Sequence, residues 1–307
     1  MRVLNFVLTG PVFGVLALFL AVIWMLRDEK DKTRPLLVFA LVLNLFYGFL
    51  LNTLMGREGG LVPWKFDHVL FHLDASLGIQ AAAIAGPLQG FWCIPLWAVY
   101  QMMVPMMIVW FLVAQYRRCS GSIVLAYVAE LVGGPLIYII VPACGPIYAF
   151  RTQWLHPPAV AADAVRLTGL PNAFPSLHVG TAFVFVLFAP GKFWKVVALL
   201  FLAGTCLATL ATGEHYVIDL IPGFTFGAFA AAVGMLNIRR SAVFLSLTIA
   251  WPLAVRFGSV FLIAHPVVTR SFAVLTLILA AIALWKSWTE SAPAPPEASA
   301  AAAVANL

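Results

Sequence analysis

Long apolar runs, many of them close to twenty residues, follow one another through most of this 307-residue chain. A helix needs about 20 mostly apolar residues to cross the roughly 30 Å hydrocarbon core of a bilayer. Charged residues make up 10% of the chain, whereas soluble domains usually carry about 25%. We therefore predict an all-α integral membrane protein, a multi-pass helical bundle that forms one transmembrane catalytic domain over residues 1–290.

Glycine, proline and charged residues divide the apolar sequence into about nine predicted spans. Their approximate bounds are 6–26, 36–55, 92–114, 122–143, 176–190, 196–212, 216–236, 243–264 and 270–288. We expect the second to seventh spans to form a six-helix core, with one earlier and two later spans beside it. The mixed stretch 56–91 is interpreted as a helix at the membrane interface. The Ala/Pro-rich tail 291–307 is predicted to be disordered.

Loop charges indicate which side of the membrane each loop faces. With nine spans, the N-terminus and the even-numbered loops carry six Lys and Arg residues, and the opposite side carries eleven. By the positive-inside rule the second side is cytoplasmic. The loops 144–175 and 213–215 then face the extracytoplasmic side.

Several partners and cofactors are not expected from this composition. Basic residues occur singly or in small groups between apolar runs, so no nucleic-acid footprint is predicted. The four cysteines form no C-x-x-C pair, and we expect no metal and no other cofactor. Cys93 and Cys144 fall on the same predicted side and could be bridged, although two unpaired buried thiols are the expectation. The pattern does not indicate an oligomeric state.

The first outward loop ends in Pro171-Asn-Ala-Phe-Pro-Ser-Leu-His178, which leads into an apolar helix. Ser176 after a proline is a helix-start signal, and it leaves the backbone N–H groups of Leu177, His178 and Val179 directed at the loop. Free N–H groups and the helix dipole together form an anion-binding site. This motif therefore predicts a phosphate or carboxylate ligand beside a histidine.

The second outward loop contains Gly213-Glu-His-Tyr-Val-Ile-Asp219, at the start of the seventh span. His215 and Asp219 are four residues apart and share one helix face, so the carboxylate can hydrogen-bond one imidazole nitrogen. That bond would fix the tautomer and leave the other nitrogen free as a nucleophile or base. Either histidine motif alone is also typical of a solvated polar group, but two of them on one predicted side favour a functional site.

These residues resemble the type 2 phosphatidic acid phosphatase superfamily, which includes vanadium haloperoxidases. Its second signature, Pro-Ser-Gly-His, corresponds to Pro175-Ser176-Leu177-His178 with leucine in place of glycine. Its third signature ends in His, three residues, Asp, as at His215 and Asp219. The form Phe-Pro-Ser-Leu-His with His-Tyr-x-x-Asp is similar to the inositol phosphorylceramide synthase branch. The motif region extends over residues 144–236.

The resemblance implies phosphoryl transfer by two histidines without a metal. His215 would attack phosphorus and form a phosphohistidine, oriented by Asp219. His178 would protonate the leaving oxygen and then activate the acceptor. Ser176 and the helix-start N–H groups, including that of Leu177, would bind the phosphate oxygens. Such a reaction rests mainly on positioning and on charge stabilisation.

Basic residues of the family signatures are missing from this chain. The first signature, Lys, six residues, Arg-Pro, is absent, and Ala208 and Thr209 stand where the third has Ser-Arg. A cation should replace them, and Arg151 is our first candidate, followed by His156 and Arg166. Each of these is equally typical of a solvated loop charge.

Arg256 lies inside the eighth predicted span, where an unpaired arginine costs at least ~2.5 kcal/mol. We expect it to face the bundle and to meet either substrate phosphate or a carboxylate such as Glu130. Asp67 and Asp74, in the interfacial stretch, could shape a head-group pocket. Solvated carboxylates at head-group level are the favoured interpretation of this pair.

The leading interpretation is a membrane-embedded phosphotransferase that acts on a phospholipid or sphingolipid head group, with membrane lipids as its partners. A lipid phosphate phosphatase, with water as acceptor, is the second. A transporter would use the same polar residues as a proton or substrate path, but it predicts inverted repeats, and none is seen in the sequence. A structural protein would leave two histidine motifs on one side unexplained.

Overall fold

The computed structural model describes residues 64–116, 120–156, 165–166 and 170–289. The predicted spans 6–26 and 36–55 and the predicted tail 291–307 lie outside these residues. The described part is mainly helical, as the apolar periodicity predicts. Its helices are α1 (Asp67–Leu77), α2 (Ala81–Ala85), α3 (Cys93–Gln101), α4 (Met103–Tyr116), α5 (Ser120–Tyr138), α6 (Pro146–Phe150), α7 (Leu177–Phe188), α8 (Gly191–Ala211), α9 (Val217–Gly234), α10 (Ile238–Ala264) and α11 (Pro266–Thr289).

Two short strands accompany the helices. β1 (Trp64–Lys65) pairs antiparallel with β2 (Val165–Arg166), with Trp64 opposite Arg166. Three-residue 3-10 turns follow α2, precede α3 and follow α6. The predicted loop 144–175 therefore begins with α6 and contributes one strand.

Four of the described helices, α8 to α11, are long and apolar enough to cross a membrane. Two bent pairs would raise this number to six. These are α1 with the helix Ala81–Leu88, at 73°, and the helix Gly90–Gln101 with Met103–Ala114, at 50°. The described residues thus support a multi-pass membrane protein with four to six spans, and they do not confirm nine.

The fifth predicted span, 176–190, is the helix α7, which has only twelve residues. At 1.5 Å per residue it is about 18 Å long, too short to cross a bilayer alone. Its first turn lies beside the start of α9, because the Ser176 N–H donates to the Asp219 carbonyl at 3.0 Å. Both histidine motifs therefore begin helices at one end of the bundle.

The helix α9 lies at the centre of the bundle and crosses α7 at three glycines. A Cβ placed on Gly227 would lie 2.3 Å from the Gly180 carbonyl oxygen, and one on Gly223 would lie 2.7 Å from the Ser176 carbonyl oxygen. Small residues spaced four apart allow membrane helices to approach this closely. This crossing fixes the relative position of the two histidine-bearing helix starts.

The helix α10 packs against α9 as extensively as α7 does, and α11 also contacts α9. The sequence prediction had assigned α10 and α11 to flanking positions outside a six-helix core. That division is not seen among the described helices. Because α10 places Trp251 and Val255, both fully buried, in the core around the site, it belongs to the central packing.

The interfacial interpretation of 56–91 is wrong for the helix α1. Within α1, Leu70, Leu73, Asp67 and Asp74 are at most 1% exposed, and the helix packs against α9, α10 and α11. The two carboxylates are therefore not solvated at head-group level. Both carboxylates accept hydrogen bonds from backbone N–H groups inside the bundle, so neither needs contact with water.

Candidate active site

Ser176 is the N-cap of α7, as its position after Pro175 predicts. Its extended backbone (φ −70°, ψ 106°) precedes the helix, and its Oγ accepts the Val179 N–H at 3.4 Å. The hydroxyl hydrogen of Ser176 remains available as a donor. The N–H groups of Leu177 and His178 belong to the first helical turn, where an α-helix has no internal acceptor for them.

The side chain of Leu177 replaces the glycine of the family signature and packs against α5. A Cβ on Gly134 would lie only 2.6 Å from the Leu177 Cδ1 atom, so the absence of a side chain at Gly134 provides the space. The leucine thus leaves the helix start in place. It also adds an apolar wall to this side of the site.

His215 lies in the turn between α8 and α9 and is 3% exposed. Its Nδ1 atom lies 2.8 Å from the Ala173 carbonyl oxygen and 3.4 Å from Asp219 Oδ2. A carbonyl oxygen only accepts, so this contact requires the hydrogen on Nδ1. The Nε2 atom then carries the lone pair. The sequence pattern assigned this task to Asp219, whereas the backbone carbonyl of Ala173 is the nearer partner.

Asp219 is fully buried and belongs to the same network as His215. Its Oδ2 atom accepts the Tyr216 N–H at 2.8 Å, which caps the start of α9. Oδ1 is buried without a hydrogen-bond partner among the described residues. The carboxylate therefore holds the segment that carries His215 and also lies near its ring.

The rings of His178 and His215 lie edge to face, with centroids 6.2 Å apart and planes at 66°. Tyr100, at the end of α3, stacks on His178 with a centroid distance of 4.2 Å. Sequence reasoning missed Tyr100, which no motif indicates. The stack holds the plane of the His178 ring beside His215.

Glu214 and Tyr148 lie beside the histidine pair. The Tyr148 hydroxyl donates to Glu214 Oε1 at 3.1 Å, and burial raises the pKa of Tyr148 to about 12. Burial also raises the pKa of Glu214 above its ordinary value. For His215, burial lowers the pKa to about 4, against the opposing effects of Glu214 and Ala173. The His215 ring is therefore neutral at physiological pH.

This low pKa predicts a pH-dependent loss of stability. The unfolded chain protonates His215 below its ordinary pKa of 6.5, while the folded protein does so only near pH 4. The contribution of neutral His215 to the free energy of unfolding is therefore fully present above pH 6.5, and it is lost as the pH falls toward 4. We expect the thermal midpoint of the purified protein to fall less between pH 6.5 and 4.5 in His215→Gln than in wild type. Parallel midpoint curves for the two proteins would contradict this.

The candidate cations occupy different places. Arg151 and His156 are exposed in the loop after α6, and Arg151 has a left-handed backbone, with φ 50°. Arg166 is placed by strand pairing alone, opposite Trp64. None of the described hydrogen bonds joins Arg151 to His178 or His215. Its role as a phosphate ligand stays a prediction.

Arg256 does not pair with Glu130. The arginine side chain is exposed, its Nη1 donates to the Ile140 carbonyl at 2.9 Å, and its guanidinium carbon lies 5.5 Å from the Phe66 ring centroid. Glu130 accepts instead from the Thr181 hydroxyl at 2.8 Å. The prediction that Arg256 faces the bundle is therefore wrong, because a backbone carbonyl just beyond α5 satisfies the guanidinium outside it.

Lys65 is a buried cation that sequence reasoning counted among the loop charges. It is fully buried, and it lies close enough to Asp67 and Cys144 for their charges to act on its ammonium group. Cys144 itself is a buried free thiol and Cys93 a half-buried one, so the two are not bridged.

Asp74 caps the start of α9 from a distant part of the chain. Its Oδ1 accepts the Ile218 N–H at 2.8 Å, and its Oδ2 accepts the Val217 N–H at 2.9 Å. A carboxylate at a helix N-terminus is favoured by the helix dipole. Asp74 therefore fixes the helix start that follows His215.

The fold and the site define a helical membrane protein in which two adjacent helix starts bring two histidines together. A family model described as PAP2 superfamily matches residues 68–233, more than half of the chain, and the protein belongs to that superfamily. The matched range contains Ser176, His178, His215 and Asp219. Membership supports a phosphatase or phosphotransferase type of function. Neither the curated proteins nor the solved structures contain a match.

Proposed function

We propose that this protein is a membrane-embedded phosphotransferase that acts on a phospholipid or sphingolipid head group through a phosphohistidine on His215. The observation that carries the proposal is the 2.8 Å contact of Nδ1 with the Ala173 carbonyl, since it leaves the Nε2 lone pair for attack. A buried, neutral imidazole is a competent nucleophile at neutral pH. Nε2 forms the bond to phosphorus, and the bond from phosphorus to the leaving oxygen breaks.

His178 is the general acid and base of this proposal. Its ring centroid lies 6.2 Å from that of His215, so a phosphoryl group bonded to His215 would lie near His178. In the first step His178, protonated in the complex with the substrate anion, gives its proton to the leaving oxygen and becomes neutral. In the second step neutral His178 takes the proton of the acceptor hydroxyl, whose oxygen displaces His215 from phosphorus, and His178 is again protonated. Asp219 and the Ala173 carbonyl hold the His215 ring during both steps.

The start of α7 is the proposed phosphate site. Ser176 provides its hydroxyl hydrogen, and Leu177 and His178 provide backbone N–H groups at the positive end of the helix dipole. Arg151 and Arg256 stay proposed as additional phosphate ligands, and none of the described hydrogen bonds joins either to His178 or His215. The transfer chemistry needs these charges because negative charge is spread over the phosphoryl oxygens.

Low solvent exposure supports transfer to an alcohol over transfer to water. Ser176 and Asp219 are fully buried and His215 is 3% exposed, and Leu177 adds an apolar side chain where the family signature has glycine. Exclusion of water suppresses hydrolysis of a reactive intermediate. The Phe-Pro-Ser-Leu-His and His-Tyr-x-x-Asp patterns support the inositol phosphorylceramide synthase branch, with active-site loops on the extracytoplasmic side.

A product assay tests this function. Purified protein in lipid nanodiscs would receive phosphatidylinositol labelled in its phosphate, with ceramide as acceptor and EDTA present. We expect label to move into a new lipid that depends on the acceptor and survives EDTA. Free phosphate or free inositol phosphate as the only labelled product, whatever alcohol is added, would identify a phosphatase or hydrolase instead. Phosphatidic acid serves as the parallel substrate for that second outcome.

A further inference from the structure

Asp67, at the start of α1, is a buried carboxylate with backbone partners from distant segments. The Cys144 N–H lies 3.1 Å from its Oδ1 and 3.0 Å from its Oδ2, and the Gly145 N–H donates to Oδ1 at 2.8 Å. The Tyr216 hydroxyl donates to Oδ1 at 3.1 Å. One side chain therefore joins α1, the loop that precedes α6 and the residue that follows His215.

The first branch from Asp67 passes through a single peptide unit. The N–H of the peptide between Ala143 and Cys144 donates to Asp67, and the C=O of the same peptide accepts the Ala173 N–H at 2.8 Å. Ala173 in turn provides the carbonyl that lies 2.8 Å from Nδ1 of His215. The N–H and C=O of Ala173 belong to adjacent peptide units, so Asp67 acts on this carbonyl by holding the backbone of Ala173 in place. The branch therefore ends at the atom whose protonation determines the tautomer of His215.

The second branch passes through Tyr216. Its hydroxyl donates to Asp67, and its N–H donates to Asp219 Oδ2, which lies 3.4 Å from the same Nδ1 atom. Both branches thus start at Asp67 and end at one ring nitrogen. The segment 143–145 is also held directly against the residue before His215, because a Cβ on Gly145 would lie 2.2 Å from the Glu214 carbonyl oxygen.

We propose that Asp67 is the positioning residue of the site, which holds His215 as the Nδ1–H tautomer and fixes the direction of its Nε2 lone pair. This inference rests on the proposed function of His215 as nucleophile. Without Asp67, the peptide between Ala143 and Cys144 loses its acceptor and Tyr216 loses its hydroxyl partner. The Ala173 carbonyl can then move away from Nδ1, and the ring populates the other tautomer, in which Nε2 carries the hydrogen.

The test compares Asp67→Asn with Thr248→Val. The asparagine keeps the shape but presents an amide donor to the Cys144 N–H donor. Thr248 is fully buried and bonds Thr225 between α10 and α9, so its variant removes a buried hydrogen bond outside the Asp67 network. We expect kcat of Asp67→Asn to fall about 10- to 100-fold with KM within about twofold, since orienting partners act at this scale. Thr248→Val should keep both constants near wild type.

A second readout does not depend on activity. With ¹⁵N-labelled histidine, the His215 signals, assigned by their loss in His215→Ala, should report an Nδ1–H tautomer in wild type and a mixture in Asp67→Asn. Unchanged signals, or a kcat equal to that of Thr248→Val, would overturn the proposal. If the wild type transfers no group from any lipid offered, the proposed function fails and the tautomer signals alone decide the role of Asp67.

Tyr216→Phe keeps the proposal testable if Asp67→Asn does not fold. It removes only the hydroxyl of the second branch, so a smaller loss of kcat and a partial tautomer change are expected. In the double variant the two losses should be less than additive, because both substitutions act on the contact between residue 67 and the Tyr216 hydroxyl, which Asp67→Asn weakens and Tyr216→Phe removes. Fully additive losses, or a Tyr216→Phe protein with wild-type kcat and tautomer, would count against the role of Asp67.

Discussion

Replacing His215 by alanine is expected to lower kcat by about 10⁴-fold or more, the scale seen when a catalytic nucleophile is removed. No other described histidine combines an Nδ1 atom hydrogen-bonded to a backbone carbonyl with a ring beside that of His178. The protein should still fold, because His215 lies in the short connection between α8 and α9 and its replacement removes no large apolar side chain from the core. The measurement is initial-rate transfer of labelled head group in nanodiscs.

His265→Ala is the matched control for this experiment. His265 is exposed at the end of α10, where it stacks on Phe261 at 4.2 Å and hydrogen-bonds the Phe261 carbonyl. Its loss should leave kcat within about twofold of wild type, as for most surface changes. Acid-labile, base-stable label on the wild-type protein should disappear in His215→Ala and persist in His265→Ala. Equal labelling of both variants would exclude His215 as the site of the phosphohistidine.

Replacing Gly227 by alanine is expected to destabilise the whole bundle. The new methyl group would meet the Gly180 carbonyl oxygen at 2.3 Å, and both atoms belong to helix backbones that cannot move separately from their helices. Forced overpacking of this kind costs about 1–3 kcal/mol, and more where the backbone must shift. Because the crossing of α7 and α9 sets the distance between the two histidines, activity should fall together with stability.

Gly258→Ala tests whether this effect depends on the crossing. Gly258 lies in α10, and a Cβ there would meet nothing within 4 Å. We expect a thermal midpoint in detergent close to that of wild type for Gly258→Ala, and a fall of about 3–10 °C for Gly227→Ala. Equal midpoints for the two variants would mean that the α7–α9 contact is looser than the structure indicates.

The long helices were predictable because a long apolar run in a membrane protein satisfies its backbone hydrogen bonds by forming a helix. The predicted spans 216–236 and 270–288 correspond to α9 (Val217–Gly234) and α11 (Pro266–Thr289). The span 176–190 looked similar by hydropathy, yet α7 ends at Phe188 after twelve residues. Hydropathy measures how apolar a segment is and does not measure whether neighbouring helices or lipid surround it.

The two histidine motifs were found from helix-start signals and from the family resemblance, and the structure brings their rings together. The residues that hold them could not be found in the same way. Asp67 and Asp74 accept backbone N–H groups from positions 77 and 143 residues away in sequence. Any non-proline residue supplies a backbone N–H, so no residue type in those segments signals the contact. The carboxylates therefore looked like solvated charges.

The shortness of α7 leaves its two ends in different surroundings. Its first turn lies beside the start of α9, so both helix starts stand at the same end of the bundle. At 1.5 Å per residue α9 is about 27 Å long, so α7 ends about 9 Å before α9 does. A lipid head group would meet the histidines at the end where the two helices start together, and its tails could stay among the apolar helices.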